Sequence, residues 1–474
     1  MGFWSDDPDT DTGSLFKFVE ATFENNNARY YQLSDVKATM IDGTNIYGGT
    51  SVGLYTGGKE YREAYTAAGT IVTAGNSSAS DECYAAYKAL REAKENLSYN
   101  EPDAEKVYYI KSAATNDNTG YCQGTYVYSP NKSVTRSRGN YTGTHNHTHL
   151  LFDTMSEIGT KAHAAFQFVA TDTQGSYKIK SLHTGLYVKA FTGTHMSTEA
   201  GDAATVKIAG FADGQVTLKI GNNDPMHAQQ DYGVIVQWGA AAGNASLWTI
   251  DEITALEDLT YTTTMSHLGY GTLMLGYDVI VPEGITANVA TKVDGKYIIF
   301  EKVGDVIPAN TAVILKKSNV ELTEALTLNF EYAGNNAVAL EDNMLGGALY
   351  DTTIDGVNNK IYQMQAKNGT VKFYWMYAEY NESGELTNEG TDDGGYVKLP
   401  ANKAYFSMLK SEGASSYSFR FPWEGTTDIE GIVTEENDAL NGTIFDLQGR
   451  KIVEIAEPGF YIINGKKVFV EEIK

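Results

Sequence analysis

The sequence has few residues of several kinds, and each shortage excludes a class of protein. Two cysteines in 474 residues allow at most one disulfide bond, so a disulfide-rich scaffold is excluded. Basic residues number 36 against 60 acidic ones, and the net charge of −24 argues against binding to nucleic acid or to anionic membrane surfaces. No apolar run reaches about 18 residues, so we expect no membrane insertion.

The first residues also lack the basic and apolar stretches of a secretory signal peptide. We therefore expect either that a signal was removed or that the chain is the C-terminal part of a longer protein. Cysteine usage leaves the compartment open, because Cys83 in a helical pattern and Cys122 in a loop are as consistent with free thiols as with a disulfide bond.

Glycine and tyrosine are abundant, with 47 and 32 residues, whereas proline contributes only 9. This composition is typical of turn-rich β structure. The length is too great for one hydrophobic core and predicts about three domains. We therefore expect a mainly β, multidomain protein.

Helical patterns are confined to the N-terminal part. Residues 1–27 are acidic and then Asn-rich, and we interpret them as a flexible segment. Apolar residues recur at helical spacing over about residues 59–74 and again over about 80–97, where Ser80 or Asp81 is expected to cap the first turn. Residues 28–103 are therefore predicted to form a short helical spacer bundle. It is similar to modules found between domains of secreted glycan-active proteins.

One short phrase recurs in residues 104–255. Tyr-Ile-Lys-Ser around Ile110 returns as Tyr-Lys-Ile-Lys-Ser around Ile179 and more weakly around Leu218, so the copies lie 69 and 39 residues apart. Such repetition indicates a supersecondary unit that buries its apolar face against its own copies. Three copies made of short strands predict a three-fold β-trefoil, with about one extra hairpin in the longer first copy.

From Ala164 onward this segment resembles the ricin-type β-trefoil lectins. The matching positions are Phe166, 177–181, 184–188, 226–228, 236–238 and 244–248. In that family each repeat ends with Gln-x-Trp, and a sugar pocket uses an Asp, an Asn or Gln, and an aromatic platform. Here the third repeat keeps Trp248 but has Ser246 in place of Gln, while Phe166 and Val206 replace Trp in the other two.

The resemblance implies that at most the third repeat keeps a sugar pocket. Its candidate ligand-binding residues are Asp224, Gln229, Trp238 and Asn244. The set is chemically reasonable, because apolar sugar faces stack on aromatic rings while carboxylate and amide groups bind hydroxyls. Small residues follow Trp238, so we expect its ring to be exposed.

Two further patterns suggest chemistry. His145, His147 and His149 alternate, which on a strand would place them on one face, yet at roughly 6.5–7 Å apart they are too widely spaced for one metal ion with ligand bonds of about 2.1 Å. Residues 49–53 spell Gly-x-Ser-x-Gly, but no strand-to-helix context for a nucleophile elbow surrounds them. We expect no catalytic residues, no metal and no cofactor.

Residues 256–425 are predicted to form a second all-β region, a β-sandwich. The phrase Pro-Ala-Asn-x-Ala occurs at 308–312 and 400–404, 92 residues apart, and each copy reads as a tight turn that leads into an apolar strand. The region is similar to a β-sandwich module common near the C-terminus of secreted bacterial glycan-degrading proteins.

An acidic linker at 426–439 leads to a small C-terminal β-sheet at 440–474. This tail resembles the C-terminal sorting domain of type IX secretion cargo, through Asp-Leu-Gln-Gly-Arg at 446–450 and Gly-Phe-Tyr-Ile-Ile-Asn-Gly-Lys-Lys at 459–467. The acidic finish at 471–474 departs from that pattern. The resemblance implies recognition by the secretion machinery of a Gram-negative bacterium, and hence a secreted or cell-surface protein.

Together these features predict a non-catalytic carbohydrate-binding protein, with the glycan bound by the β-trefoil. An alternative is that the chain is the C-terminal accessory portion of a larger extracellular hydrolase, a glycoside hydrolase or a peptidase. Its catalytic domain would then lie upstream of Met1. A third possibility is a β-trefoil that has lost its ligand site.

Overall fold

The protein is described by a computed structural model that covers most of residues 26–470. The ranges left out within it are 116, 139–140, 191–196, 199–202, 222–223, 239–243, 318–323, 335–336, 339, 341, 357, 368, 377–378, 381–385, 389–395, 423–443, 447–449, 453–458 and 464–465. The predicted N-terminal segment before residue 26, the linker at 426–439 and the small residues after Trp238 therefore lie outside the described residues. Among the helices described, none is long and apolar enough to cross a membrane.

Three helices form the N-terminal region: α1 (Asn26–Thr39), α2 (Gly58–Ala74) and α3 (Ser80–Glu95), with a short strand pair of β1 (Tyr55–Thr56) and β2 (Ser98–Tyr99). The predictions of α2 and α3 are confirmed. The sequence reading missed α1, whose one fully buried apolar side chain is Leu33, so it has no clear apolar stripe. The predicted cap of α3 is wrong, because Ala79 holds the N-cap position without a side-chain hydrogen bond.

Among its described residues, the second region contains fourteen strands and a four-residue helix. They are β3 (Tyr108–Ser112), β4 (Tyr126–Tyr128), β5 (Val134–Arg138), β6 (Tyr141–His145), β7 (Leu151–Asp153), α4 (Met155–Ile158), β8 (Ala165–Ala170), β9 (Ser176–Ser181), β10 (Val188–Lys189), β11 (Ser197–Thr198), β12 (Val206–Ala212), β13 (Gln215–Ile220), β14 (Met226–Gln229), β15 (Val234–Gln237) and β16 (Trp248–Glu252).

Six of these strands close into a ring. β3 pairs with β16, and the sequence of neighbours continues through β13, β12, β9 and β8, which pairs back with β3. Each copy of the repeat adds one short pair to the ring: β4 with β7, β10 with β11, and β14 with β15. A six-stranded ring with three hairpins is a β-trefoil, so the fold expected from the repeat is confirmed.

The repeated phrase supplies the centre of this fold. Ile110, Ile179 and Leu218 lie on β3, β9 and β13 and are all buried in one core, together with Phe166 and Trp248 from the strands that end the first and third copies. The excess length of the first copy contains the hairpin β5–β6, which pairs only with itself. The expected extra hairpin is therefore present.

The loop between α1 and α2 closes one end of the trefoil core. Val52 and Leu54 are buried within that core. The buried Ser51 hydroxyl donates a hydrogen bond to the carbonyl of Ile250 at 3.0 Å and accepts one from its amide at 2.6 Å. Gly53 has a positive φ of 87°, and a Cβ there would lie 2.3 Å from Ile208. The Gly-x-Ser-x-Gly phrase is thus a packing motif between the helices and the trefoil.

In the third region, the part of the chain that the structure describes contains eighteen strands. They are β17 (Tyr261–Met265), β18 (Tyr270–Leu273), β19 (Asp278–Ile280), β20 (Ile285–Asp294), β21 (Tyr297–Lys302), β22 (Val306–Ile307), β23 (Val313–Lys317), β24 (Leu326–Phe330), β25 (Tyr332–Gly334), β26 (Leu345–Ala348), β27 (Thr352–Asp355), β28 (Asn359–Lys367), β29 (Thr370–Met376), β30 (Glu379–Tyr380), β31 (Leu386–Asn388), β32 (Tyr396–Leu399), β33 (Lys403–Leu409) and β34 (Ser416–Arg420).

These strands form two copies of one unit. In the first copy, neighbouring strands run in the order β18, β23, β20, β21. The equivalent order in the second copy is β26, β33, β28, β29. The short pair β19–β22 of the first copy corresponds to β27–β32 of the second. β34 lies between the copies, parallel to β21 and antiparallel to β29, so that nine strands make one continuous sheet. The region predicted as a β-sandwich therefore consists of an internal duplication. The sequence indicated this duplication only through the repeated Pro-Ala-Asn phrase.

Two hydrophobic cores cross the predicted domain boundaries. Leu182 and Ala162 of the trefoil share a core with Leu275 and Tyr277 of the third region. A Cβ on Gly276 would lie 2.6 Å from the Leu182 carbonyl oxygen, so the backbones approach closely there. The trefoil is thus packed against both of its neighbours in the chain, and the exact boundaries stay predictions.

The C-terminal strands form a separate small sheet. They are β35 (Ile444–Phe445), β36 (Lys451–Ile452), β37 (Gly459–Ile463) and β38 (Lys466–Val470), in the order β36-β35-β37-β38. The small sheet was expected, with four strands instead of the three read from the sequence. Arg450 donates from its backbone amide and its Nε to the Asp446 carboxylate, at 2.8 and 2.7 Å, and so ties the end of β35 to the start of β36.

Candidate functional site

Trp238 lies at the open end of the hairpin β14–β15 in the third copy of the trefoil repeat. Its backbone amide donates a hydrogen bond to the carbonyl of Pro225 at 3.3 Å, so the residue is still held across the hairpin after β15 ends. The side chain is 55% exposed. A tryptophan on an ordered backbone that still shows its ring to solvent is a natural platform for an apolar ligand face.

His227 supports this ring from the neighbouring strand. It pairs with Val236 in the strand register, which makes Trp238 its diagonal neighbour on the same face. The two rings are stacked, with centroids 5.8 Å apart and an interplanar angle of 26°. Ser246 anchors the imidazole, with 2.9 Å between its Oγ and the His227 Nδ1. The tryptophan ring is therefore braced on one side.

Burial lowers the pKa of His227 below its usual value of 6.5. The imidazole is consequently neutral at neutral pH, and a neutral imidazole has one donor and one acceptor nitrogen. One nitrogen is engaged by Ser246. The other nitrogen donates or accepts a hydrogen bond according to the tautomer, so it is able to bind a ligand hydroxyl in either role. The site thus combines an aromatic face with an uncharged polar group.

The four residues predicted from the sequence do not all meet. Asp224 is exposed and directly precedes Pro225, so it lies at the same end of the hairpin as Trp238. Gln229 pairs with Val234 beside the turn, at the opposite end, about 13 Å along the strand from Pro225. Asn244 begins the short 3-10 turn Asn244–Ser246 in front of β16, and its side chain lies outside the described residues.

Sequence reasoning missed His227 and Ser246 as members of this group. His227 belongs to a matched phrase, but its role depends on the hairpin register. The turn before Gly233, in which Tyr232 has a φ of 68°, fixes that register. Ser246 was regarded only as a replacement for a family glutamine, whereas its hydroxyl orients the imidazole. The alternation of His227 and Gln229 along β14 was the available signal.

The three alternating histidines do not share one face. β6 ends at His145, so the strand alternation stops there. The rings of His145 and His149 lie 5.2 Å apart, whereas His147 stacks on Tyr350 of the third region with a centroid distance of 3.8 Å. Within the part of the chain that the structure describes, no three His, Cys, Asp or Glu side chains group as metal ligands.

Both cysteines are free and buried. Cys83 lies in the core of the helical region and Cys122 in the core of the trefoil. Because they belong to separate cores, they act as small apolar residues, and the open question of a disulfide bond is answered against it in this structure.

No protein-family model matches the sequence, and no curated protein matches it. Among solved structures, the chain is similar to the designed three-fold symmetric protein ThreeFoil, with 14% identity and a TM-score of 0.23 over 31% of this chain and 99% of that one. It is similar to a Polyporus squamosus lectin bound to the epitope Neu5Aca2-6Galb1-4GlcNAc, with 16% identity and a TM-score of 0.23 over 34% of this chain and 51% of the lectin.

A longer similarity extends to Cry35Ab1, with 8% identity and a TM-score of 0.23 over 66% of this chain and 89% of that chain. The match to the Polyporus squamosus lectin spans only about half of that protein, as its 51% coverage shows. At such identities and scores the similarity assigns no ligand. The β-trefoil is established by the strand pairing of this chain itself.

Proposed function

We propose that the protein binds carbohydrate through Trp238, in a binding role without catalysis. The observation that carries the proposal is an indole ring that is 55% exposed and braced by His227 on a trefoil hairpin. The apolar face of a pyranose stacks on such a ring, while the imidazole and the nearby carboxylate of Asp224 offer hydrogen-bonding groups for sugar hydroxyls. A site of this size supports only weak affinity, on the order of millimolar.

The test removes the platform. Trp238→Ala should abolish retention of the full chain on the glycans that the wild-type protein binds in an array, because the stacking surface is gone. The thermal midpoint should change little, since more than half of the side chain is exposed. Phe211→Ala is the matched control, because Phe211 is another exposed aromatic, on β12, and its loss should leave retention intact.

Two results would contradict the proposal. Retention that survives Trp238→Ala would show that the ligand binds elsewhere. A variant that unfolds would show that Trp238 supports the fold, and a milder replacement, Trp238→Leu, then separates the two effects by keeping apolar volume without the aromatic face.

We further propose that the C-terminal sheet is a sorting signal that brings the protein to the cell surface or the medium of a Gram-negative bacterium. Support comes from the Asp-Leu-Gln-Gly-Arg phrase, whose first and last residues, Asp446 and Arg450, are joined by two hydrogen bonds. The partner would be the type IX secretion machinery.

When residues 440–474 are deleted, the protein should stay inside cells that possess type IX secretion. The trefoil should remain folded, because its cores lie outside the tail. Export is measured by immunoblotting of medium, surface and periplasm. Asp446→Asn is the finer variant, because it weakens the charged contact with Arg450 and should reduce export partially. Undiminished export of the truncated chain would remove the tail from the proposal.

A further inference from the structure

The inserted hairpin β5–β6 presents two different faces. Its outer face has two cross-strand hydroxyl pairs, Thr135 with Thr144 at 3.0 Å and Ser137 with Thr142 at 2.8 Å. The other face carries Tyr141 and is directed toward the turn of the hairpin β14–β15, where Tyr232 lies. An insertion that occurs in one copy of a repeat and is rich in hydroxyls is a common place for ligand binding.

Two tyrosines meet on that second face. The ring of Tyr141 is 43% exposed, and its centroid lies 5.0 Å from that of Tyr232 at an angle of 46°. Tyr232 has a φ of 68°, an uncommon and strained conformation for a bulky residue. A glycine would serve this turn position without that strain, so the retained aromatic ring indicates a role for the side chain.

Gly143 makes the arrangement possible. A Cβ at this position would lie 3.0 Å from the Tyr232 ring and 3.1 Å from Nε2 of His145. A side chain at this position would have to push the Tyr232 ring aside by a few tenths of an ångström, so glycine fits the close contact. One aromatic surface thus depends on Gly143, on the strained turn at Tyr232 and on the exposed ring of Tyr141.

The hairpin is also held in place from both sides. Arg136 donates from Nε to the Tyr128 hydroxyl at 3.0 Å and is paired with the buried Asp153. His147, just after β6, stacks on Tyr350 of the third region. The aromatic surface is therefore built on an anchored element, which reduces the ordering cost when a ligand binds.

We propose that Tyr141 and Tyr232 form a second carbohydrate-binding site, which rests on the proposed function for its ligand class. The two sites lie at opposite ends of the hairpin β14–β15, because Trp238 follows its last strand residue and Tyr232 lies in its turn. Val234, the first residue of β15, and Trp238 are four positions apart, a distance of about 13 Å. One polysaccharide chain that spans both sites binds more tightly than either site alone would allow.

The test uses the full chain and affinity electrophoresis in gels that contain mannan, xylan or β-glucan. For the polysaccharide that retards the wild-type protein, Tyr141→Ala should weaken binding at least tenfold, whereas Trp238→Ala and the double variant should migrate as in a gel without polysaccharide. Gly143→Ala should reproduce the effect of Tyr141→Ala, because the added methyl group displaces Tyr232. Tyr141→Phe is the control that keeps the ring and should bind nearly as the wild type.

The outcomes separate the two proposals. Unchanged binding by both Tyr141→Ala and Gly143→Ala overturns the second site, and if Trp238→Ala still abolishes binding the proposed function stands. Loss with Tyr141→Ala but not with Trp238→Ala supports the inserted hairpin as the site and overturns the role of Trp238. Failure of all three polysaccharides to retard the wild-type protein overturns both.

Discussion

Ser51 illustrates how a residue in a catalytic-looking phrase serves packing. Its hydroxyl both donates to and accepts from the backbone of Ile250, so one side chain satisfies a donor and an acceptor of β16. The flanking Gly53 allows the backbone to lie against Ile208. A nucleophile, in contrast, needs an exposed hydroxyl beside a base. The same letters therefore have a structural meaning in this chain.

Ser51→Ala should lower the free energy of unfolding by about 1–3 kcal/mol, because it leaves the buried amide of Ile250 without its partner, while the Ile250 carbonyl still accepts from the Val52 amide. Chemical denaturation measures the change. Thr50→Ala, at the exposed neighbouring position, should stay within about 0.5 kcal/mol of the wild type. Equal stability of Ser51→Ala and the wild type would mean that water replaces the hydroxyl.

At the scale of the element, the repeated Pro-Ala-Asn turn shows the duplication most clearly. Asn310 and Asn402 both have a φ of 60°. In each copy the preceding alanine donates its amide to an aspartate, Ala309 to Asp278 at 2.7 Å and Ala401 to Asp351 at 2.9 Å. Asparagine tolerates this left-handed conformation better than most residues, which explains its presence at both turns.

The exposed turn offers a direct test of backbone conformation. Asn310→Ala should lower the free energy of unfolding by about 1 kcal/mol, because alanine resists a positive φ. Asn310→Gly should lose much less, since glycine accepts this conformation freely. Thermal melts of the two variants provide the comparison. If alanine were tolerated as well as glycine, the left-handed turn would not be under conformational constraint.

At the scale of the whole molecule, the trefoil meets the third region near two histidines, His183, which is buried, and His163, which is partly buried. The ring centroids of His163 and His183 lie 4.0 Å apart. Burial lowers the pKa of His163 to about 4, aided by the positive charge of Lys132. Burial also lowers the pKa of His183, with a further contribution from His163. Both rings are therefore neutral at neutral pH.

This pair makes stability depend on pH. Between pH 6.5 and about 4 the unfolded chain binds protons at His163 that the folded chain does not, so the free energy of unfolding falls as the pH falls through this window. At about 1.4 kcal/mol per pKa unit, His163 alone accounts for roughly 3 kcal/mol.

Urea denaturation at pH 7, 6 and 5 measures this loss of stability. His163→Gln combined with His183→Gln should flatten the dependence, because neither amide titrates. Lys132→Gln should flatten it slightly, since it removes the nearby positive charge. A dependence that persists undiminished in the double variant would assign it to other groups.

The sequence by itself determined which structural units, strands and repeats, this protein contains. Apolar residues in short alternating runs specify strands, and their return around Ile110, Ile179 and Leu218 was enough to predict a trefoil with an added hairpin. The exposure of Trp238 also followed from its small neighbours. These properties depend on local spacing, which a linear pattern records directly.

Only the tertiary structure decided which residues of distant parts of the chain contact each other. The contact between Ser51 and Ile250 joins residues 199 positions apart. The stacking of His227 on Trp238 depends on a hairpin register, and the meeting of Tyr141 with Tyr232 depends on how two separate hairpins dock. Such contacts are set by the packing of complementary surfaces after the chain has folded, and no periodic pattern in the sequence encodes them.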